Sequence, residues 1–162
     1  MTTELPETWV LWYHSLTNNN WSINGYKKIY TIKTVEDFWN VTVRLNITII
    51  QNGMFFLMKE NIEPLWENKD NINGGCWSYK ISKKDCYMSL IEIFMAVCGD
   101  SLVEDKYINV INGVSISPKR NYCIVKIWNN DYSINDVELL SKDIYNLNTS
   151  LCLYKAHKER NA

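Results

Sequence analysis

The stretch CWSYKISKKDCYMSLIEIFMAVCG, residues 76–99, carries two kinds of element in succession. Residues 76–82 read as a strand. Between Asp85 and Cys98 the apolar residues Met88, Ile91, Phe94, Met95 and Cys98 recur at helical spacing, so a helix is expected, stopped by Gly99. Downstream, Tyr107–Ser117 and Tyr122–Asn129 read as a strand pair joined by a Pro-Lys-Arg-Asn turn. A further helix is expected over roughly Ile134–Leu147, and a last short strand over Leu151–Tyr154. Upstream, Trp9–His14, Tyr26–Lys33 and Met54–Lys59 read as strands, with polar loops at Ser15–Gly25 and Glu60–Gly75. Thr34 caps a helix, because T-V-E-D puts acids in its first turn, where they favour the helix N-terminus. Strands adjacent in sequence and interleaved with helices imply an α+β domain: a mainly antiparallel sheet with helices packed on one face.

The bulk composition fits one domain over residues 1–162. Hydrophobic residues make up 46% and charged residues 22%, an ordinary globular balance. The formal net charge of -1 excludes a generally basic nucleic-acid coat, so any nucleic acid must meet a local patch. The five cysteines, 76, 86, 98, 123 and 152, form no C-x-x-C pair and read as reduced core residues of a cytosolic protein. MTTELPETW has no basic or apolar run of signal length, and no stretch is long enough to span a bilayer. Cytosol is the expected compartment, with the nucleus left open.

Seven tryptophans is a high count for this length. Trp9, Trp12 and Trp77 sit in expected strands and read as core. Trp21, in NNNWSING, and Trp66, in NIEPLWENKDN, stand among polar residues. A large ring on a polar loop either anchors the loop or meets a ligand. Glu67 beside Trp66 offers two carboxylate oxygens, which match the two donors on the Watson–Crick edge of guanine, N1–H and the N2 amino group. On its own it reads rather as one more solvated acid. Lys119 and Arg120 put two cations on a turn before the strand of Trp128, a phosphate-holding arrangement or a solvated turn.

Four segments occur in a particular order: T-V-E-D-F-W (Thr34–Trp39), I-E-P-L-W-E (Ile62–Glu67), G-G-x-W (Gly74–Trp77) and I-W (Ile127–Trp128). Together they resemble the eukaryotic translation initiation factor 4E family, over about Leu5 to His157. The resemblance implies a curved antiparallel sheet backed by three helices on its convex face, with a slot for the messenger RNA cap on the concave face. It implies that Trp21 and Trp66 stack on either side of 7-methylguanine and that Glu67 bonds N1 and N2. Trp128 would touch the N7-methyl, and Lys119, with Arg120, the phosphates. It further implies a second site at Leu5, Val35, Trp39, Ile91 and Glu92 for a helix carrying Y-x-x-x-x-L-Φ, from a 4G-like scaffold protein or a binding protein. Taken locally, Trp39 on a helix reads rather as core. Departures are also visible. Ile124 stands where a second phosphate cation is expected, the Trp21 loop is about one residue short, and a longer C-terminal segment is not matched.

Physical chemistry is consistent with that resemblance. Methylation at N7 makes guanine cationic, and two indoles around a cation add cation–π attraction of about 2 kcal/mol when desolvated. The expected function is therefore cap binding with scaffold recruitment for initiation, by a monomer without cofactor or metal. The close alternative is a repressor that occupies caps without recruiting the scaffold. An enzyme is not expected: His14 and His157 are the two histidines, and no Cys–His, metal-ligand, G-x-S-x-G or phosphate-loop spacing occurs. General RNA binding conflicts with the near-neutral charge.

Overall fold

The computed structural model describes residues 2–144 and 149–158. Seven strands form one sheet: β1 (Glu4–His14), β2 (Tyr26–Thr34), β3 (Met54–Lys59), β4 (Gly75–Ser82), β5 (Ile111–Pro118), β6 (Tyr122–Asn129) and β7 (Leu153–Ala156). Their spatial order is β2-β1-β3-β5-β6-β4-β7, and every neighbouring pair is antiparallel. The expected α+β class, with a curved antiparallel sheet, is what the chain adopts.

Strand periodicity sorts side chains onto two faces. Trp9 and Leu11 of β1, Phe55 and Leu57 of β3, Trp77 of β4 and Val125 and Ile127 of β6 belong to the main core. Val10, Trp12, Phe56, Met58, Cys76 and Trp128 form a second apolar cluster from the alternate positions. Among the described residues the α-helices pack on the first of these faces.

Helix α1 (Val35–Thr42) begins on a complete capping box. The Thr34 hydroxyl accepts from Asp37 N–H, and the Asp37 carboxylate accepts from Thr34 N–H. Phe38 and Val41 are its buried apolar residues. A one-turn helix α2 (Ile47–Ile50), capped by Asn46, was not foreseen, because four residues carry too little periodicity to show. The long helix α3 (Cys86–Cys98) lies within a residue of its expected limits. Tyr87 of α3 donates to the Thr42 carbonyl of α1, so the two lie side by side.

Two expectations need correcting. Met88 and Met95 of α3 are 54% and 43% exposed, and Ile91 is half-buried; of the expected stripe Phe94 and Cys98 are buried, and Leu90, Ile93 and Val97 join them. α3 is apolar nearly all round, so spacing alone did not fix its inward phase. Gly99 is its C-cap, as expected, and the left-handed residue that follows is Asp100. Asp100 has φ 55°, and Ser101 N–H donates to Ala96 carbonyl and Asp100 N–H to Val97 carbonyl, a Schellman closure with Asp in the left-handed position. Over Ile134–Leu147, the described residues up to 144 hold a 3-10 turn at Val137–Leu139 and no α-helix, while 145–147 lie outside the described residues. The acidic segment DYSINDVE favours side-chain-bonded turns there: Asp131 and Asp136 both accept local backbone N–H groups.

All five cysteines lie among the described residues, are buried and form no disulfide. Among the described residues no helix is long and apolar enough to cross a membrane.

Candidate functional site

A cavity of about 320 Å³ opens on the face that carries the second apolar cluster. Its floor is strand-borne: Phe56 from β3, Ser115 and Ser117 from β5, and Ile124, Lys126 and Trp128 from β6. Trp128 is held in place, its indole N–H donating to the Ser115 hydroxyl at 3.1 Å. Two loops form the walls, one bringing Trp21 and the other bringing Pro64, Leu65, Trp66 and Glu67. Lys119 sits at the rim, where its N–H donates to the Tyr122 carbonyl and closes the β5–β6 turn.

Trp21 is 51% exposed, and one face of its indole lies flat on His14, with centroids 4.0 Å apart and planes 2° off parallel. His14 is fully buried, and its two ring nitrogens lie 2.8 Å from the carbonyl oxygens of Ser15 and Asn20, at the two ends of the loop before Trp21. Tyr26 meets both rings edge-on. Its phenol is pushed up to about 12, first by burial and then by the Glu67 carboxylate, so it stays neutral in the wall.

The second wall is built from the inside. Buried Asn71 donates through its amide to the Glu63 and Leu65 carbonyls, directly before Trp66. Asn112, buried at a bulge in β5, donates to the Asn71 side-chain oxygen and to the Asp70 carbonyl. The loop is therefore tied to the sheet through a chain of amides. Trp66 also packs against the second apolar cluster, with the His157 ring 6.5 Å away, so it is less isolated than its polar sequence neighbours suggest. The G-G-x-W segment has a steric reason: a Cβ at Gly74 would stand 1.9 Å from the Asn129 carbonyl oxygen.

Five of the six expected slot residues thus line one cavity: Trp21, Trp66, Glu67, Lys119 and Trp128. Arg120 does not; it is exposed in the turn beyond Lys119, where successive residues point different ways. Sequence reasoning missed Tyr26, Phe56 and Lys126. Once β6 was placed and Trp128 assigned to the slot, counting back by two would have found Lys126.

On the opposite face, Trp39 of α1 is 46% exposed, with its ring edge-on to buried Phe38 at 5.2 Å. It is not core, contrary to its local reading. Val35 lies one turn earlier, and Leu5, Ile91 and Glu92 are half-buried. With Met88 and Met95, the outer sides of α1 and α3 carry apolar surface that the described residues leave uncovered.

The sheet thus carries helices on one face and, on the other, an aromatic cavity edged by one carboxylate and two lysines. Residues 4–162 match the model of the family described as eukaryotic initiation factor 4E. Eukaryotic translation initiation factor 4E-3 of Caenorhabditis elegans is 27% identical over 98% of this chain, and the factor 4E of Candida albicans is 28% identical over 78%. The chain spans 68% and 64% of the lengths of these two relatives. The structure of the C. elegans factor 4E-3 in complex with the 4E-binding protein Mextli and a cap analog superposes with a TM-score of 0.86. The identity is 25%, over 99% of this chain and 96% of that one. The Ascaris suum factor 4E-3 in complex with the m7G cap gives 0.75 at 27% identity, over 86% and 79%. The chain belongs to the eukaryotic initiation factor 4E family. That family is one of translation initiation factors and not of enzymes.

Proposed function

We propose that this chain binds the 7-methylguanosine cap of messenger RNA in the slot and a scaffold protein's helix on the opposite face, as a translation initiation factor. The observation that carries the reading is the convergence of Trp21, Trp66, Glu67, Trp128 and Lys119 on one cavity from four separate segments. Two indoles take the faces of the base, Glu67 accepts from N1–H and the N2 amino group, and Lys119 meets the phosphates. A positive base strengthens the Glu67 bonds and adds attraction to the indoles; unmethylated guanine lacks both gains. The cap-bound nematode relatives support this reading.

For the initiating role over a purely repressive one, the supporting observation is the half-exposed Trp39 on α1, with Val35 one turn earlier, and the exposed Met88 on the neighbouring helix α3, apolar surface suited to an amphipathic helix. Tryptophan fluorescence titrated with methylated and unmethylated cap analogues tests the slot: strong quenching by the first and weak by the second is expected. Equal responses would reject it. A pull-down with a Y-x-x-x-x-L-Φ peptide, with and without cap analogue, tests the role; no capture would leave a cap-occupying repressor.

A further inference from the structure

We infer that Lys126 is a phosphate-binding residue of the slot, placed deeper than Lys119. The inference rests on the cap-binding reading above. β6 alternation sends Cys123, Val125 and Ile127 to the core and Ile124, Lys126 and Trp128 to the cavity. Same-face neighbours on a strand stand about 7 Å apart, within reach of a lysine side chain. Lys126 lies opposite Ser115, whose hydroxyl accepts from Trp128, and Ile124 lies opposite Ser117. The two lysines lining the cavity therefore sit at different depths: Lys126 is rooted beside the Trp128 floor, and Lys119 at the rim turn.

An ammonium at the floor repels a methylated, positive base, so it contributes nothing to holding the base itself. It is useful to a ligand in which an anion follows that base closely. In a nucleotide the first phosphate is the anion nearest the base, and the later ones run outward. Lys126 accordingly meets the first phosphate and Lys119 the outer ones. The apolar position at 124 leaves no charge between them, and the cation of this wall is displaced by one pleat towards the base.

The test titrates wild type, Lys126→Met, Lys126→Arg and Lys119→Met with 7-methylguanosine and with its mono-, di- and triphosphates. Lys126→Met keeps the aliphatic stem and removes the charge. It is expected to lose about tenfold in affinity already at the monophosphate, as for one charged hydrogen bond, while the nucleoside binds as before or tighter. Lys126→Arg should retain the monophosphate gain, and Lys119→Met should lose affinity only as the second and third phosphates are added. If Lys126→Met does not fold, judged by its melting curve, Lys126→Gln takes its place. Unchanged phosphate gains in the charge-removing variant would overturn the role of Lys126 alone. So would an equal loss for the nucleoside, which would mark a packing residue. Wild type that does not distinguish methylated from unmethylated guanosine monophosphate would overturn the cap reading itself.

Discussion

Trp21 and Trp66 enter the slot on different terms. Trp21 has His14 behind it and solvent around it, whereas Trp66 leans on the apolar cluster beneath the cavity. Either change to Ala should weaken binding of a methylated cap analogue by about 2 kcal/mol or more, through lost stacking and cation–π attraction. The two should separate in thermal melts: Trp21→Ala close to wild type, Trp66→Ala lower, because the second removes packing on the apolar cluster and the first only the contacts of a half-exposed ring with His14 and Tyr26. Melts that fall together, with affinity unchanged, would make both rings structural. Glu67 is exposed and lines the cavity, so Glu67→Gln should leave stability within about 0.5 kcal/mol. Its affinity should drop by about 1–3 kcal/mol, the scale of a bidentate base contact. The drop should be smaller for the unmethylated nucleotide, which isothermal titration with both ligands would reveal. The residue types that build the slot were legible in the chain because loop tryptophans and a neighbouring carboxylate are unusual. What supports them, His14 behind Trp21 and Asn71 behind Trp66, was not, since a histidine and an asparagine in polar stretches look like any others.

Among the elements, the loop between β3 and β4 depends on buried amides rather than on regular backbone pairing. Asn71→Ala leaves the Glu63 and Leu65 carbonyls and the Asn112 amide short of partners, at about 1–3 kcal/mol for a buried unsatisfied group. Hydrogen exchange should show faster opening of residues 63–70, and cap affinity should fall although Asn71 does not line the cavity. Helix α1 offers a pH test. Asp37 is held below the ordinary carboxylate range, first by the Lys33 N–H and then by the N–H and hydroxyl of Thr34. Glu36 is lowered likewise, chiefly by the Thr3 N–H. Both values are depressed on folding, so their stabilisation is complete above the ordinary carboxylate range and fades as pH falls through the lowered values. Acid should therefore loosen the start of α1, and Asp37→Asn should flatten that part of the melting temperature's pH dependence. Thr34→Ala, which removes the cap, should cost about 1 kcal/mol at neutral pH. The capping box was readable from T-V-E-D, and β3 at Met54–Lys59 matched its expected limits, because turns and caps are local signals. The inward phase of α3 depends on which of several apolar stripes meets the sheet, a tertiary choice.

For the molecule as a whole, the sheet separates the slot from the face bearing Trp39, and the two should be separable by mutation. Trp39→Ala should abolish capture of a Y-x-x-x-x-L-Φ peptide, since such anchors contribute about 2 kcal/mol or more. Cap affinity should stay within about 0.5 kcal/mol and the melting temperature nearly unchanged, as the ring is half exposed. A large fall in melting temperature would mean that the indole holds the domain together. The two faces are nevertheless built from the same strands: Ile127 fills the core while Trp128, its chain neighbour, floors the cavity. Deleting one residue within β6 would turn the strand over, carrying Lys126 and Trp128 into the core and Val125 and Ile127 into the slot. Insertions and deletions are thus confined by geometry to the connections, where the Trp21 loop can change length without moving a floor residue of the sheet. Lineages of such proteins are free to drift in loop length but must keep the parity of every strand.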